Sequence, residues 1–308
     1  MYDYLRLRAT IHDRDAFINK CPVLFTGTYI ESTGEPIHKS YNRNFRGLKT
    51  NVFSNSIRID GSIQTFHNTD NYSEFNRSDL IRACTDLANV YRLKERDLRI
   101  TNAEASVTIE APSIYSYMQS YKDRYPFTDM AKHNAKYGKH FTMGNEENGS
   151  KGEYGGKCYD KTKQVKLQTR EVLQKQLQHF ELCINNPRWF NKRHPQHEIK
   201  TLDTLYDYNV MSAVGEELIA LFYNITFTGA ELDYSSLHEF SPSQVSQIVA
   251  MSDQKYAAHL KASHPETFKK YSRLYNSVKN NAAYYRNTDE VAYFGDKLVK
   301  QLAYQLNN

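Results

Sequence analysis

The stretch Lys157-Cys158-Tyr159-Asp160-Lys161-Thr162-Lys163 sets a phenol among cations. Read as part of a strand over 157–167, it puts Lys157, Tyr159, Lys161 and Lys163 on one face, because alternate strand residues point the same way. A phenol with a pKa of about 10 is a poor nucleophile at neutral pH, and neighbouring positive charge favours its phenolate. The same lysines attract a phosphodiester. Attack by such an oxygen on DNA breaks one strand and leaves a 5′-phosphotyrosine and a free 3′-OH. The competing reading of this local pattern is an ordinary surface tyrosine on a solvated strand.

Two carboxylates add to the chemistry. Glu104 lies among small residues in RITNAEASVTIEA (99–111), and Glu181 lies in His179-Phe180-Glu181-Leu182-Cys183-Ile184, whose apolar residues take the other face. Strand-borne carboxylates facing a common surface suit Mg²⁺ or Mn²⁺, hard ions that prefer oxygen ligands and keep waters for phosphate oxygens to displace. Such an ion polarises the scissile phosphate and stabilises the leaving oxygen. For either glutamate viewed alone the alternative is a surface ion pair.

Other chemistries are excluded. No His-hydrophobic-His pair occurs on a strand; His194 and His197 are three apart in a proline-flanked stretch without a third ligand nearby. No Walker-type glycine loop followed by Lys-Ser/Thr is present, so no nucleotide-driven motor is implied. Cys21, Cys84, Cys158 and Cys183 are scattered, which argues for reduced, buried thiols rather than a zinc module or disulfide scaffold. No apolar run approaches the roughly 18–20 residues of a membrane span, and the N-terminus does not read as a signal peptide.

The elements that must position these residues follow from patterning. Tyr2, Tyr4, Leu5 and Leu7 fit an opening strand, and 27–47 reads as loops or short edge strands. SIRIDGSIQTFH predicts a strand over 56–67 with Gly61 as a bulge or a close backbone approach. A helix is predicted from Ser78, its N-cap, to Leu93, with Leu80, Ile81, Cys84, Leu87, Ala88 and Tyr91 on one face. In the 99–111 strand Ala103, Ala105, Val107 and Ile109 oppose Glu104, Ser106, Thr108 and Glu110. A helix over 112–127, a glycine-rich loop over 133–156, a helix from about 170 to 178 and a strand over 179–184 complete the first part. Residues 200–308 read mostly as helix, at 206–223, 243–251, 253–262, 266–285 and 289–306.

The chain has 308 residues, enough for one large domain or two. Its 40 basic and 35 acidic residues give a net charge of +5, which leans toward a polyanionic partner. The 24 tyrosines beside one tryptophan suit stacking on single-stranded nucleic acid as well as they suit sheet surfaces.

Four short motifs in order carry a resemblance: Gly61-Ser62-Ile63 with Phe66 and Asn71; Leu98 to Val107 with a central Glu104; Tyr159-Asp160-Lys161; and Phe180-Glu181-Leu182. Over roughly 55–192 the chain resembles the gene II/gene X replication initiators of filamentous phages, which share motifs with one group of rolling-circle plasmid initiators. Asp70 stands where that family usually has Gly, Thr65 where Lys is common, and His179 where Arg precedes the Glu strand. The resemblance implies Tyr159 as nucleophile, Lys161 on the phosphate or beside the phenol, and metal ligands among Glu104 and Glu181. It implies nicking of the plus strand at an origin, a 3′-OH that primes rolling-circle synthesis, and later rejoining.

The expectation is an α+β fold: a mostly antiparallel sheet with helices packed on it as a nicking domain (1–199), then a helical region (200–308) able to hold a helix-turn-helix. Lys157, Lys163 and Asn71 are expected to contact DNA. Expected partners are double-stranded origin DNA with a local single strand, and the host replicative helicase and polymerase, in the bacterial cytoplasm. The rival expectation is a non-catalytic, sequence-specific DNA- or RNA-binding protein of a phage or plasmid.

Overall fold

The fold is described from a computed structural model covering residues 1–23, 41–114, 117–121, 128–129, 138–143, 152–227, 231–279, 284–286 and 288–308. Strands β1 (Tyr2–Thr10), β2 (Tyr41–Phe45), β3 (Leu48–Val52), β4 (Ser56–Ser62) and β5 (Arg99–Glu110) precede β6 (Met118–Tyr121), β7 (Thr128–Asp129), β8 (Gly138–Met143), β9 (Tyr154–Asp160) and β10 (Leu177–Ile184). All of these except β6 join one nine-stranded sheet of order β2-β3-β4-β1-β5-β10-β9-β8-β7. Every neighbouring pair in it is antiparallel. The architecture is α+β.

Alternation assigns the two faces of the central strands. Ala103, Ala105 and Val107 of β5 and Phe180, Leu182 and Ile184 of β10 are buried in the main core. Phe180 meets Phe222 of helix α6 (Tyr208–Tyr223) at 5.7 Å and Phe294 of α10 (Asp289–Asn307) at 6.3 Å between ring centroids, both edge-on. Edge-to-face contact suits the ring quadrupoles and fixes both helices on this side. The other helices of the first part are α1 (Arg14–Lys20), α2 (Ile63–Asn68), α3 (Arg77–Tyr91), α4 (Lys161–Thr169) and α5 (Pro187–Arg193). Helices α7 (Pro242–Ser252), α8 (Gln254–Ser263) and α9 (Pro265–Lys279) accompany a second, smaller core of Leu237, Ile248 and Val278. Two short ladders remain: β11 (Ile225–Phe227) pairs β6, and β12 (Glu231–Leu232) pairs β13 (Tyr285–Arg286).

Several elements differ from the sequence reading, each for a local reason. The strand predicted over 56–67 stops at Ser62, whose hydroxyl accepts from the Thr65 amide at 2.9 Å and caps α2. Gly61 does make a close approach: its φ is +149°, and a Cβ there would lie 2.4 Å from the Gly47 carbonyl oxygen. Helix α3 is capped by Asn76, not Ser78, through a reciprocal box with Asp79. The helix predicted over 112–127 is replaced at 118–121 by β6, because β11 supplies a ladder that local propensity cannot anticipate. Of the loop predicted over 133–156, residues 138–143 and 154–156 are strand; 133–137 and 144–151 lie outside the described residues.

The strand predicted over 157–167 ends at Asp160, whose carboxylate accepts from the Lys163 amide at 2.8 Å and starts α4. The helix predicted at 170–178 therefore lies earlier, and β10 begins at Leu177. Of the helix predicted over 266–285, residues up to Lys279 are helix and Tyr285 is strand in β13, and 280–283 lie outside the described residues. Helix α5, capped by Asn186 with Pro187 at its first turn, was not predicted. All four cysteines are free and buried. Among the described residues no helix is long and apolar enough to cross a membrane.

Candidate active site

The face of the sheet opposite α6 and α10 carries a polar cluster from four adjacent strands. Register decides who meets whom. On β10 and β9, His179 stands opposite Tyr159 and Glu181 opposite Lys157. On β10 and β5, His179 stands opposite Thr108, Glu181 opposite Ser106 and Cys183 opposite Glu104. Strand β1, beyond β5, adds Asp3. Direct opposition brings side chains on one face within about 4.5–5.5 Å at Cβ, which is contact range for polar groups.

At the centre is Glu181. Its Oε1 accepts from the Tyr159 hydroxyl at 2.7 Å and lies 3.1 Å from His179 Nε2. Its Oε2 lies 2.7 Å from Lys157 Nζ, and the same ammonium lies 2.7 Å from Glu104 Oε2. His179 Nδ1 lies 2.7 Å from Thr108 Oγ1, and its Nε2 is 3.9 Å from Asp3 Oδ2. Asp3 is steadied by the Ser62 hydroxyl, which donates to Oδ1 at 2.5 Å. Lys161 is fully buried, with Nζ 5.6 Å from the Tyr159 ring centroid and no hydrogen-bond partner among the described residues.

Burial sets the electrostatics. Tyr159 is only 4% exposed, and desolvation, with the Glu181 charge beside it, holds its phenol well above its ordinary pKa. This corrects the expectation that flanking lysines favour the phenolate. Lys157 is committed to two carboxylates, Lys163 is an exposed residue of α4, and Lys161, whose own pKa burial lowers, has left the strand pattern. Burial alone would raise the Glu181 carboxyl too, but the Lys157 ammonium and His179 hold it well below the carboxylate range. Glu104 is pushed up to about 7 by burial and the charge of Glu181. His179 is lowered by burial and then by Lys161, so its imidazole is neutral and able to ligate a metal.

Among the described residues two groups could hold a metal ion: Asp3, His179 and Glu181, all buried, and Glu104, Glu181 and Cys183, each with donor atoms within 4.8 Å of one another. The buried Asp/His/Glu group fits a divalent ion better. Its three side chains already converge, with His179 Nε2 3.1 Å from Glu181 Oε1 and 3.9 Å from Asp3 Oδ2, while the Glu104–Glu181 gap is bridged by Lys157.

The structure thus brings together Tyr159, Lys161, Glu104, Glu181 and Lys157 of the expected residues. It sets Lys163 in solvent. Asn71 is half-buried in the turn after α2, where Asp70 accepts from the Tyr72 and Ser73 amides and Tyr72 donates to Glu171 at 2.7 Å. Lys157, expected on DNA, is an internal counter-ion. Sequence reasoning missed Asp3 and His179 as candidate ligands. The one signal for His179 was its alternation with Glu181; Asp3 had none, since its neighbours in space come from residue 62 and beyond.

An open antiparallel sheet with helices α6 and α10 on one face and a Tyr–carboxylate–His cluster on the other is the class of protein that fold and site define. The sequence matches no protein-family model, and comparison with curated proteins finds no match.

Proposed function

We propose that the protein nicks and rejoins one strand of origin DNA through Tyr159, as a rolling-circle replication initiator. The observation that carries this reading is the 2.7 Å hydrogen bond from the Tyr159 hydroxyl to Glu181, inside a cluster with the donor set of a metal site. Glu181 Oε1 takes the phenolic proton as the Tyr159 oxygen bonds to phosphorus. The bond from phosphorus to the 3′ oxygen breaks, and that oxygen takes a proton from water. A free 3′-OH and a 5′-phosphotyrosine result, and rejoining is the same exchange run backward. The buried Lys161 ammonium, without a hydrogen-bond partner among the described residues, would meet a phosphate oxygen. Asp3, His179 and Glu181 would hold Mg²⁺ or Mn²⁺, which when bound supplies Lewis-acid polarisation of the phosphate. Because Tyr159 is buried, the reaction requires that DNA binding uncover it. The partners on this reading are origin DNA with a local single strand and the host helicase and polymerase, in the cytoplasm of a bacterial host.

A second reading, a non-catalytic DNA- or RNA-binding protein, is favoured by that same burial and by the internal pairing of Lys157. One assay separates the two. Supercoiled DNA of the replicon that encodes the chain is incubated with protein and Mg²⁺, then denatured. Relaxed circles and an adduct mapping to Tyr159, absent with Tyr159→Phe although this variant still binds, are expected. Absence of any adduct leaves the second reading.

A further inference from the structure

Two cavities of about 970 Å³ and 800 Å³ lie at the end of the sheet where β1 finishes and β5 begins, and they share Arg96, Arg99 and Thr101. Together they form one groove. Among the described residues seven basic and three acidic side chains line it, an excess of four in a chain whose whole net charge is +5. Of the basic ones, among the described residues, only Lys200 has a carboxylate partner, Glu198. Arg8, Lys20, Arg96, Arg99, Arg188 and Lys192 have none among the described residues.

The sheet itself adds a second observation. Arg8 stands opposite Arg58 on β4 and opposite Arg99 on β5, three arginines in a row across neighbouring strands. Like charges directly opposite destabilise a sheet. Asp60 answers Arg58 at 2.6 Å, but among the described residues no carboxylate pairs with Arg8 or Arg99. A row of cations kept without counter-ions, lining a groove, is complementary to a polyanion.

We infer that this groove binds the phosphate backbone of the DNA flanking the scissile bond. Among the described residues its aromatic rings are Phe17 and the His12 imidazole, against seven cations, so contact with the backbone outweighs base stacking and sequence is not what it reads. Along β5 the five residues from Glu104 to Arg99 span about 17 Å at roughly 3.3 Å each. For a duplex lying along β5, at about 3.4 Å per phosphate on each strand, that distance corresponds to about five nucleotides from the reactive site. The inference rests on the nicking reading for the identity of its ligand, while the binding test below stands apart from cleavage.

The test is fluorescence anisotropy in chelator with a short single-stranded oligonucleotide and, separately, its duplex, across salt from about 50 to 200 mM. The variant carries Arg96→Gln, Arg99→Gln, Arg188→Gln and Lys192→Gln, all exposed and therefore tolerated. Each lost phosphate contact removes about 0.7–0.9 from the slope of log affinity against log salt, so the four together are expected to lower it by about 3 and affinity by at least tenfold. The strand form with the larger loss identifies which DNA the groove holds. A control replacing Lys255, Lys261, Lys270 and Arg273 with Gln on α8 and α9 is expected to change the slope much less. Wild-type affinity and slope in the groove variant, or an equal loss in the control, overturns the inference. Lost affinity without any Tyr159 adduct in the wild type sinks the nicking reading and leaves the groove standing. An adduct with unchanged binding in the variant does the reverse.

Discussion

The ammonium of Lys157 lies within 2.7 Å of both Glu104 and Glu181, where two partly desolvated carboxylates would otherwise repel each other. A dication drawn to either glutamate must contend with that ammonium. Lys157→Met is expected to cost about 3 kcal/mol, because removing one partner leaves uncompensated buried charge. Mn²⁺ should then restore part of the loss, raising the unfolding temperature of the variant more than that of the wild type. Thermal unfolding with and without Mn²⁺ measures it, and equal metal effects on both proteins would show that lysine and metal do not compete. At this scale the sequence revealed which residue types were present. It did not reveal that Lys157 faces inward, because that depends on Glu104 being two strands away in the same sheet.

Elements hold the cluster by packing on the other side of the sheet. Phe180, Phe222 and Phe294 join β10, α6 and α10, and Phe222 and Phe294 stack at 5.5 Å. At Gly295 a Cβ would come within 2.9 Å of the Phe222 ring, so α10 approaches as closely as a residue without a side chain allows. Phe294→Ala is expected to destabilise the protein by about 3–5 kcal/mol, since it opens a cavity against two rings in a fully buried site. The urea midpoint checks this, and a loss under about 1 kcal/mol would mean that α10 does not anchor the sheet. The faces of β5 and β10 were legible from alternation alone. The end of β9 was not, since Asp160-Lys161-Thr162-Lys163 suits a continuing strand as well as a capped helix until the Asp160 side chain turns back to the Lys163 amide.

Across the whole molecule, buried phenols tie stability to alkaline pH. Tyr91 is buried, bonds Thr50 at 2.5 Å, and is pushed up to about 12, chiefly by desolvation. Tyr2 and Tyr159 are raised as well, also chiefly by burial. An acid with a raised folded pKa contributes stability that is fully present below the unfolded value of about 10 and lost as pH rises from there toward 12. For Tyr91 alone the loss is on the order of 2 kcal/mol. Denaturant unfolding at a series of alkaline pH values should therefore show a decline beginning near pH 10 that is shallower in Tyr91→Phe. The same slope in both proteins would mean that Tyr91 ionises freely in the folded state. The other whole-molecule feature is charge: a net +5 read from composition leaned toward a polyanion, and the groove at the sheet end concentrates most of that excess.

Local pattern alone determined that the chain holds long strands with one apolar and one polar face, a mainly helical final third, reduced cysteines, and a tyrosine and two glutamates able to share a surface. Those are properties of periodicity, which acts between residues two or four apart. The tertiary structure decided which polar faces met. Hydrogen bonding between strands distant in sequence set β1, β5, β10 and β9 side by side, brought Asp3 to His179, and turned Lys157 from a surface cation into a counter-ion. It also buried Tyr159, reversing the direction in which its phenol shifts. Strand order and desolvation are non-local, and no spacing along the chain encodes them.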